Sequence, residues 1–446
     1  MEESYSEGRA LNLLNQLEEI LESDPLIDEV GFIHSSQFSM LDEEAGSSLP
    51  SSGNVVLESV DSILSSVGLP IDASKQENLH FWNRDHKLGI ATHVLLQLYK
   101  AAKHEFITTI RQYKALSNQS AEVGKSRSSF STPYQNLEST VMRHSRSLLL
   151  LSPDFLTAWN SRKLVISKKH QLSIFLDELL LSALVLSYSP KSEQAWNHRR
   201  WVIKSISGTC SSLQDIVRKE SELVEKIAER TKMNYRAWNH RCWLVSYMTR
   251  EQVLDELKKS KHWAGLHIAD NCCFHYRRRL LLRIFACPSC MTGTASSGYD
   301  AETFQVWKDE LDWNETLIKQ YVGREALWLH RRFLSLCWIK YFLTDFHEAS
   351  YSKDEISTYS SFATFLNNEL GLLKSCSTIV DGVFEDFETQ AMYSASYMLW
   401  LKMQAPKPLG IQLLEMLRGD DLKNMLNKSC PERSSLWSSL MSETYP

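Results

Sequence analysis

Cysteines and histidines are the residues of this chain whose spacing comes nearest to a metal-binding or catalytic pattern. Cys287 and Cys290 have the Cys-x-x-Cys spacing of half a zinc site, and Cys272, Cys273 and His275 precede them. No second Cys-x-x-Cys pair follows in the sequence, so the pattern does not predict a zinc site. The sequence also lacks a Gly-rich phosphate loop, a nucleophile elbow and a His-Glu-x-x-His motif. We therefore expect no metal and no complete active site on this chain.

Composition favours a helical protein outside the nucleic-acid-binding classes. The chain has 446 residues, 49 Lys+Arg against 54 Asp+Glu, and a net charge of −5, which gives no basic footprint for nucleic acid. Gly (16) and Pro (11) are scarce, and 43% of the residues are apolar. The nine cysteines are scattered, as in reduced cytoplasmic proteins. The acidic start and the short longest apolar run, residues 179–186, predict neither a signal peptide nor a membrane span, and the final SETYP lacks a prenyl-acceptor cysteine. We expect an all-α, cytoplasmic protein.

One short motif recurs five times, and it organises the chain. Each copy has an aromatic residue followed three positions later by an arginine, which places both on one face of a helix. The basic period is about 36 residues, within the range of stacked helical hairpins. The longest interval contains residues 287–301, which predict a loop. The motifs occupy residues 155–166, 192–203, 234–245, 271–282 and 325–336, and the pairs are Trp159 with Arg162, Trp196 with Arg199, Trp238 with Arg241, Phe274 with Arg277, and Trp328 with Arg331. We expect these ten residues to be structural.

Amphipathic segments between the motifs predict a partner helix for each motif helix. They occupy residues 171–187, 212–230, 250–268 and 301–321. A carboxylate stands 16 or 18 residues before the next aromatic residue in four of them, at Glu178, Glu222, Glu256 and Glu310. A guanidinium is costly to bury alone and tolerable against a carboxylate, so we predict that these glutamates pair with the motif arginines.

Local signals predict further details of the hairpins. Ser152-Pro153 and Ser189-Pro190 each precede a tryptophan by six to seven residues, and we expect the motif helices to start there. His198 and His240 lie between the tryptophan and arginine of their motifs, where we expect surface or interface positions.

The flanks predict a three-part organisation. Residues 1–76 form an N-terminal helix (residues 7–23) and a Ser-rich acidic linker (residues 35–53). Residues 77–350 form the repeat array, which begins with a helical segment at residues 77–106 and includes a Ser-rich loop at residues 117–133. Residues 351–446 form a helical cap, with helices near residues 354–374, 379–404 and 411–426.

The motif resembles the repeat of the protein prenyltransferase α-subunit family. Five copies in register, three of them with Ala-Trp-Asn, carry the resemblance over about 40% of the chain. It implies a right-handed α-α superhelix, a crescent of helical hairpins that wraps around a β subunit. In that family the β subunit holds the zinc, the isoprenoid diphosphate and the acceptor cysteine, and the α subunit is not active alone.

The resemblance also implies candidate site residues. The family's lysine five positions before the second tryptophan falls on Lys191, where an ammonium can neutralise diphosphate oxygens. The family's Asn-Tyr-His before the third tryptophan falls on Asn234, Tyr235 and Arg236. We expect Lys191 and Tyr235 to be catalytic and Asn234 and Arg236 to lie near the diphosphate. Two positions depart from the family: Glu193 replaces a tyrosine and Arg236 a histidine.

The resemblance favours one function and leaves a second open. The first is the α-type subunit of a protein geranylgeranyltransferase acting on C-terminal cysteines, with geranylgeranyl diphosphate and zinc on a β subunit of the geranylgeranyl type, the Rab type included. Geranylgeranyl is favoured over farnesyl because the chain lacks the Pro-rich N-terminal stretch of farnesyl-type α subunits. The second is a non-catalytic α-solenoid scaffold that has kept only the packing residues; Glu193 and the Phe274 motif support it. Nucleic acid is not an expected partner.

Overall fold

The computed structural model of the chain describes residues 2–38, 40–41, 80–122, 131–169, 171–286, 301–342, 355–377, 385–405, 424, 427 and 431–442. Helices dominate these residues, as predicted. None of the described helices combines the length and the apolarity needed to cross a bilayer. The predicted loop at residues 287–301 lies, except for Ala301, outside the described residues, as do most of the linker at 35–53 and most of the predicted helix at 411–426.

Contacts divide the chain into two compact units. Unit 1 comprises Met1–Leu213 and Leu223–His240, and unit 2 comprises Gln214–Glu222 and Arg241–Pro446. The boundary passes through two helices of the repeat array, Leu213–Arg230 and Tyr235–Leu244, so it does not fall in a linker.

Unit 1 contains an N-terminal helix, a small sheet and the first hairpins. Its helices are α1 (Glu2–Ser23), α2 (Leu95–Glu122), α3 (Ser131–Leu151), α4 (Leu156–Ile166), α5 (Leu172–Tyr188) and α6 (Glu193–Ile206), and it shares α7 (Leu213–Arg230) and α8 (Tyr235–Leu244) with unit 2.

The core of unit 1 forms because each helix turns an apolar stripe inward. Leu14, Leu17 and Leu21 recur at helical spacing on α1 and are fully buried. They belong to one apolar cluster with residues of the sheet, of α2 and of the first motif helix, including Phe106 and Trp159. The N-terminal helix is therefore packed against the start of the array.

Unit 2 continues the helical hairpins toward the C-terminus. Its helices are α9 (Arg250–Leu266), α10 (Asn271–Phe285), α11 (Ala301–Gln320), α12 (Glu325–Cys337), α13 (Glu355–Ser377), α14 (Glu385–Gln404) and α15 (Ser434–Ser442), with a π-helical turn at Trp338–Phe342. The predicted partner helices at 171–187, 212–230, 250–268 and 301–321 are confirmed to within two residues at each end.

A three-stranded sheet in unit 1 corrects one prediction. Residues 77–106 were expected to be helical, but β2 (Phe81–Arg84) and β3 (Lys87–Ala91) form a hairpin there, and β1 (Glu29–Ile33) pairs with β3 in parallel. The hairpin turns through Asp85 and His86, whose φ angles of 50° and 61° are those of a two-residue type I′ turn. Helix begins only at Leu95.

The Ser-rich segment at residues 117–133 was expected to be a loop, and that expectation is wrong at both of its ends. Helix α2 continues to Glu122 and α3 begins at Ser131. Residues 123–130 lie outside the described part of the chain.

The motif helices begin later than the Ser-Pro pairs predicted. Helix α4 begins at Leu156 and α6 at Glu193, three residues or more after each proline. The N-cap of α6 is Ser192, whose hydroxyl accepts a hydrogen bond from the Ala195 N–H at 3.2 Å.

Candidate functional site

The motif tryptophans hold the turns that precede their own helices. Trp159 is 1% exposed and its indole N–H donates to the carbonyl of Pro153 at 2.8 Å. Trp196 is fully buried and donates to the carbonyl of Pro190 at 3.0 Å. The prolines of the Ser-Pro pairs thus serve as acceptors for the tryptophans and do not start the helices.

The motif arginines are buried and bridge two helices. All five are at most 5% exposed: Arg162, Arg199, Arg241, Arg277 and Arg331. In four of them one guanidinium nitrogen, Nη1, donates to a carbonyl on the preceding helix, 20 residues earlier in each case: Met142, Leu179, Leu257 and Leu311.

Three of the four predicted glutamates accept a hydrogen bond from a motif arginine. Arg162 donates from Nε to Glu178 at 2.9 Å, Arg241 from Nη2 to Glu256 at 2.9 Å, and Arg277 from Nε to Glu310 at 2.8 Å. These pairings confirm the prediction.

For the fourth glutamate, Glu222, the prediction is wrong. Glu222 is exposed on α7, where the buried carboxylate is Glu220, 3% exposed. One further pair lies in the C-terminal region, where Arg331 donates from Nε to the fully buried Glu369 at 3.0 Å.

Each of these glutamates also accepts a hydrogen bond from the helix that follows it in the chain. His198 Nε2 donates to Glu178 at 2.8 Å in unit 1. In unit 2 His330 Nε2 donates to Glu310 at 2.9 Å, and Tyr276 and Tyr397 donate from their hydroxyls to Glu256 and Glu369 at 2.5 and 2.8 Å. We call each set of arginine, glutamate and histidine or tyrosine a buried triad. His198 and His240 are fully buried, so the expected surface or interface position is wrong.

Electrostatics favours the ionised glutamate in the triads. Burial raises the pKa of Glu178, but the charge of Arg162 and the hydrogen bond from His198 outweigh burial and lower this pKa to about 2. The pKa of Glu310 is lowered in the same way by Arg277 and His330, against burial. Burial lowers the pKa of His198 although the hydrogen bond to Glu178 opposes the shift, so this imidazole is neutral at pH 7.

Sequence reasoning missed a serine that recurs 17 residues before the arginine. Arg162, Arg199 and Arg277 each donate from Nη1 to such a serine at 2.8 to 2.9 Å. The serines are Ser145, Ser182 and Ser260, each at most 2% exposed. A comparison of the segments upstream of the motifs would have revealed them, because the spacing is constant.

Lys191 and Tyr235 lie at the N-terminal ends of neighbouring motif helices. Lys191 is exposed in the turn before α6, and Tyr235 is the first residue of α8 and 60% exposed. The side-chain amide of Asn234 joins the two ends, because its Nδ2 donates to the carbonyl of Pro190 at 2.8 Å while its Oδ1 accepts from the Ala237 N–H. Asn234 is 1% exposed, so its role here is to cap α8 and to hold the adjacent turn.

The two departures from the family pattern contact each other. Arg236 Nε donates to Glu193 Oε2 at 2.6 Å, and both side chains are about half exposed. A glutamate on α6 therefore neutralises the cation that the resemblance had set near the diphosphate.

The cysteines take no part in a metal site within the described residues. No group of three or more metal-ligating side chains occurs among them. Cys272 and Cys273 are buried in α10, where burial raises the pKa of the Cys273 thiol to about 12, and Cys287 and Cys290 lie outside the described residues.

Comparison with known proteins matches two of the hairpins to a family. The model of the protein prenyltransferase alpha subunit repeat matches residues 175–206 and 217–248, which correspond to α5 with α6 and to α7 with α8 and the turn after it.

Three relatives match a larger part of the chain. Protein prenyltransferase alpha subunit repeat-containing protein 1-B of Xenopus laevis is 31% identical over 227 residues, 42% of this chain and 52% of the relative. Protein prenyltransferase alpha subunit repeat-containing protein 1 of Homo sapiens is 31% identical over 231 residues, 42% of this chain and 56% of the relative. The protein of the same name from Danio rerio is 32% identical over 231 residues, 43% of this chain and 53% of the relative. The chain thus spans about half the length of the curated relatives it matches. The chain is thus similar to the protein prenyltransferase alpha subunit repeat over two hairpins, and to these relatives over about two fifths of its length.

Proposed function

We propose that the chain is the α-type subunit of a heterodimeric protein prenyltransferase that transfers a geranylgeranyl group to C-terminal cysteines. The β subunit would hold the zinc, the isoprenoid diphosphate and the acceptor thiolate. The observation that carries the proposal is the hydrogen bond from Asn234 to the Pro190 carbonyl, because it joins the turn that carries exposed Lys191 to the start of the helix that carries exposed Tyr235.

These two side chains are suited to stabilising a departing diphosphate. As the substrate sulfur attacks C1 of the isoprenoid, negative charge grows on the leaving oxygens. The Lys191 ammonium would stabilise that charge and the Tyr235 hydroxyl would donate a hydrogen bond to it. The positive ends of α6 and α8 lie next to both residues and favour the same anion.

The test is transfer of a radiolabelled geranylgeranyl group by the chain purified with a geranylgeranyl-type β subunit. Lys191→Ala should lower kcat by about 10²-fold, the cost of removing one charge-stabilising group, and Tyr235→Phe should lower it less. Lys204→Ala is the matched control, because Lys204 is an exposed lysine on α6 and should leave kcat unchanged.

A stoichiometric pair whose activity does not change with Lys191→Ala would contradict the catalytic assignment. A chain that binds no β subunit would contradict the subunit assignment itself.

A specific observation also favours the second candidate, a non-catalytic scaffold. The ion pair of Glu193 with Arg236 places a carboxylate beside the anion-binding position and neutralises its second cation. A scaffold would purify with protein partners and show no transfer to any C-terminal cysteine, and Glu193→Ala would not create activity.

A further inference from the structure

A second cation directly follows four of the five motif arginines, and it differs from them in burial and in hydrogen-bond partners. Four of the five motifs carry it at the fourth position after the aromatic residue, and the third motif has the buried Cys242 there. We call these residues the fourth-position cations: Lys163, Arg200, Arg278 and Arg332.

The fourth-position cations are partly buried without a carboxylate partner. Nε and Nη2 of Arg278, and Nε of Arg200 and Arg332, are inaccessible to solvent and have no hydrogen-bond partner among the described residues. Arg200 has one long hydrogen bond, from Nη1 to Asn197 Oδ1 at 3.4 Å. Burial alone lowers the pKa of Lys163 and of Arg278.

This arrangement contrasts with the residue one position earlier. Arg277 is 1% exposed and has Glu310, a carbonyl and a serine, whereas the adjacent Arg278 has lost hydration without gaining a carboxylate. A desolvated guanidinium nitrogen without a hydrogen-bond partner opposes folding, so packing of the free chain does not explain such nitrogens at one repeat position in Arg200, Arg278 and Arg332. A surface that is completed by another molecule does explain them.

Within each unit, the helices that carry the cations contact each other, and one cation lies against an aromatic ring. In unit 1, α4 contacts α6, and Lys163 Nζ lies 5.9 Å from the centre of the Trp201 ring. In unit 2, α10 contacts α12, and the Arg332 guanidinium lies 5.5 Å from the centre of the Trp400 ring. Each unit therefore has a fourth-position cation against a partly exposed aromatic ring, a combination found in protein interfaces.

We propose that the fourth-position cations bind carboxylates on the surface of the β-type subunit, an inference that rests on the proposed function. Arg200 lies seven residues beyond Glu193, the first residue of α6, about 10 Å along the helix at 1.5 Å per residue, and Lys191 is in the turn just before that helix. A subunit that delivers a diphosphate to Lys191 would lie against this helix. Carboxylates of that subunit would supply the hydrogen bonds that the buried guanidinium nitrogens lack.

The experiment measures binding of the full chain to a geranylgeranyl-type β subunit, the Rab-type subunit included, with methionine replacing each cation. Methionine keeps the apolar stem and removes the charge. Arg278→Met and Arg332→Met should each weaken binding about tenfold or more and should not lower the thermal midpoint of the chain alone. Exposed Arg279→Met and Lys204→Met are the controls, with binding changed less than about threefold.

The outcomes separate this inference from the proposed function. If the unaltered chain binds the β subunit and the Arg278 and control variants bind it equally tightly, the proposed role of the fourth-position cations is overturned and the subunit assignment stands. A lower thermal midpoint of Arg278→Met with unchanged affinity would assign a packing role and also overturn it. No binding of the unaltered chain would overturn both.

Discussion

At the scale of single residues, three motif arginines, Arg162, Arg277 and Arg331, have a structural role that depends on two neighbouring helices. Nη1 of each donates to a carbonyl of the helix before it, and its other nitrogens donate to a glutamate of the helix after it. A guanidinium is the side chain suited to this role, because its five donors are fixed in one plane. Lysine, with one flexible ammonium, cannot reach both partners in the same geometry.

Arg277 offers the sharpest test of this role. Arg277→Met leaves Glu310 buried with a single remaining donor, His330, and should lower the free energy of unfolding by about 3–5 kcal/mol. Glu310→Leu should cost a similar amount. The double variant should lose clearly less than the sum, because it leaves neither charge unpaired.

The measurement is chemical unfolding of the three variants at pH 7. Exposed Arg279→Met is the matched control and should shift the midpoint little. Losses that add fully in the double variant would show that Arg277 and Glu310 do not depend on each other.

At the scale of elements, the repeat hairpins were predictable and the sheet was not. Each hairpin repeats a long amphipathic period and an aromatic motif, and these signals persist over many residues. The hairpin of β2 and β3 is short, and its turn residues Asp85 and His86 lack the glycine that usually marks a type I′ turn. Residues 77–106 therefore carried no strong strand signal.

The candidate site was predictable in its residue types and less so in its contacts. Lys191 and Tyr235 were candidates through the family resemblance, but the hydrogen bond by which Asn234 joins the segments that carry them is not revealed by spacing. Glu222 was expected, but it lies 16 residues before Trp238, whereas the buried Glu220 lies 18 residues before it, the spacing of the other three glutamates from their aromatic residues. A register shift of two residues moves a helical side chain to another face.

The neutral histidines of two triads predict how stability depends on pH. In the unfolded chain the pKa of a histidine is about 6.5. Burial lowers the pKa values of His198 and His330 below this value in the folded chain. Unfolding therefore takes up protons below pH 6.5, so the contribution of these residues is complete above that pH and is lost as pH falls. Each can contribute up to ~1.4 kcal/mol per pH unit. The carboxylates Glu178 and Glu310 add to this loss only below about pH 4.5, because their pKa values are lowered too.

Chemical unfolding from pH 7.5 to 5.5 measures this slope. Replacing both histidines by glutamine keeps a hydrogen-bond donor without a titrating group, and should flatten the dependence relative to the unaltered chain. An equally steep slope in the double variant would assign the proton uptake to other groups.

At the scale of the whole molecule, the proposed partner predicts a change in stability. A β subunit that binds the folded chain and not the unfolded one stabilises it by RT ln(1 + [L]/Kd), about 2.7 kcal/mol at a hundredfold excess over Kd. The unfolding midpoint of the chain should therefore rise with the concentration of added β subunit. A midpoint independent of that concentration would be evidence against the heterodimer.

The arginine bridges also determine where the chain tolerates changes of length. From the accepting carbonyl to the arginine the separation is 20 residues in four hairpins, whereas from the arginine to its glutamate it is 16, 15, 33 and 38 residues. The first interval runs from the middle of one helix through the turn to the middle of the next, so one residue inserted into either helix would rotate the guanidinium away from its carbonyl. The second interval includes the connection after the motif helix, and there evolution can lengthen the protein without disturbing the array.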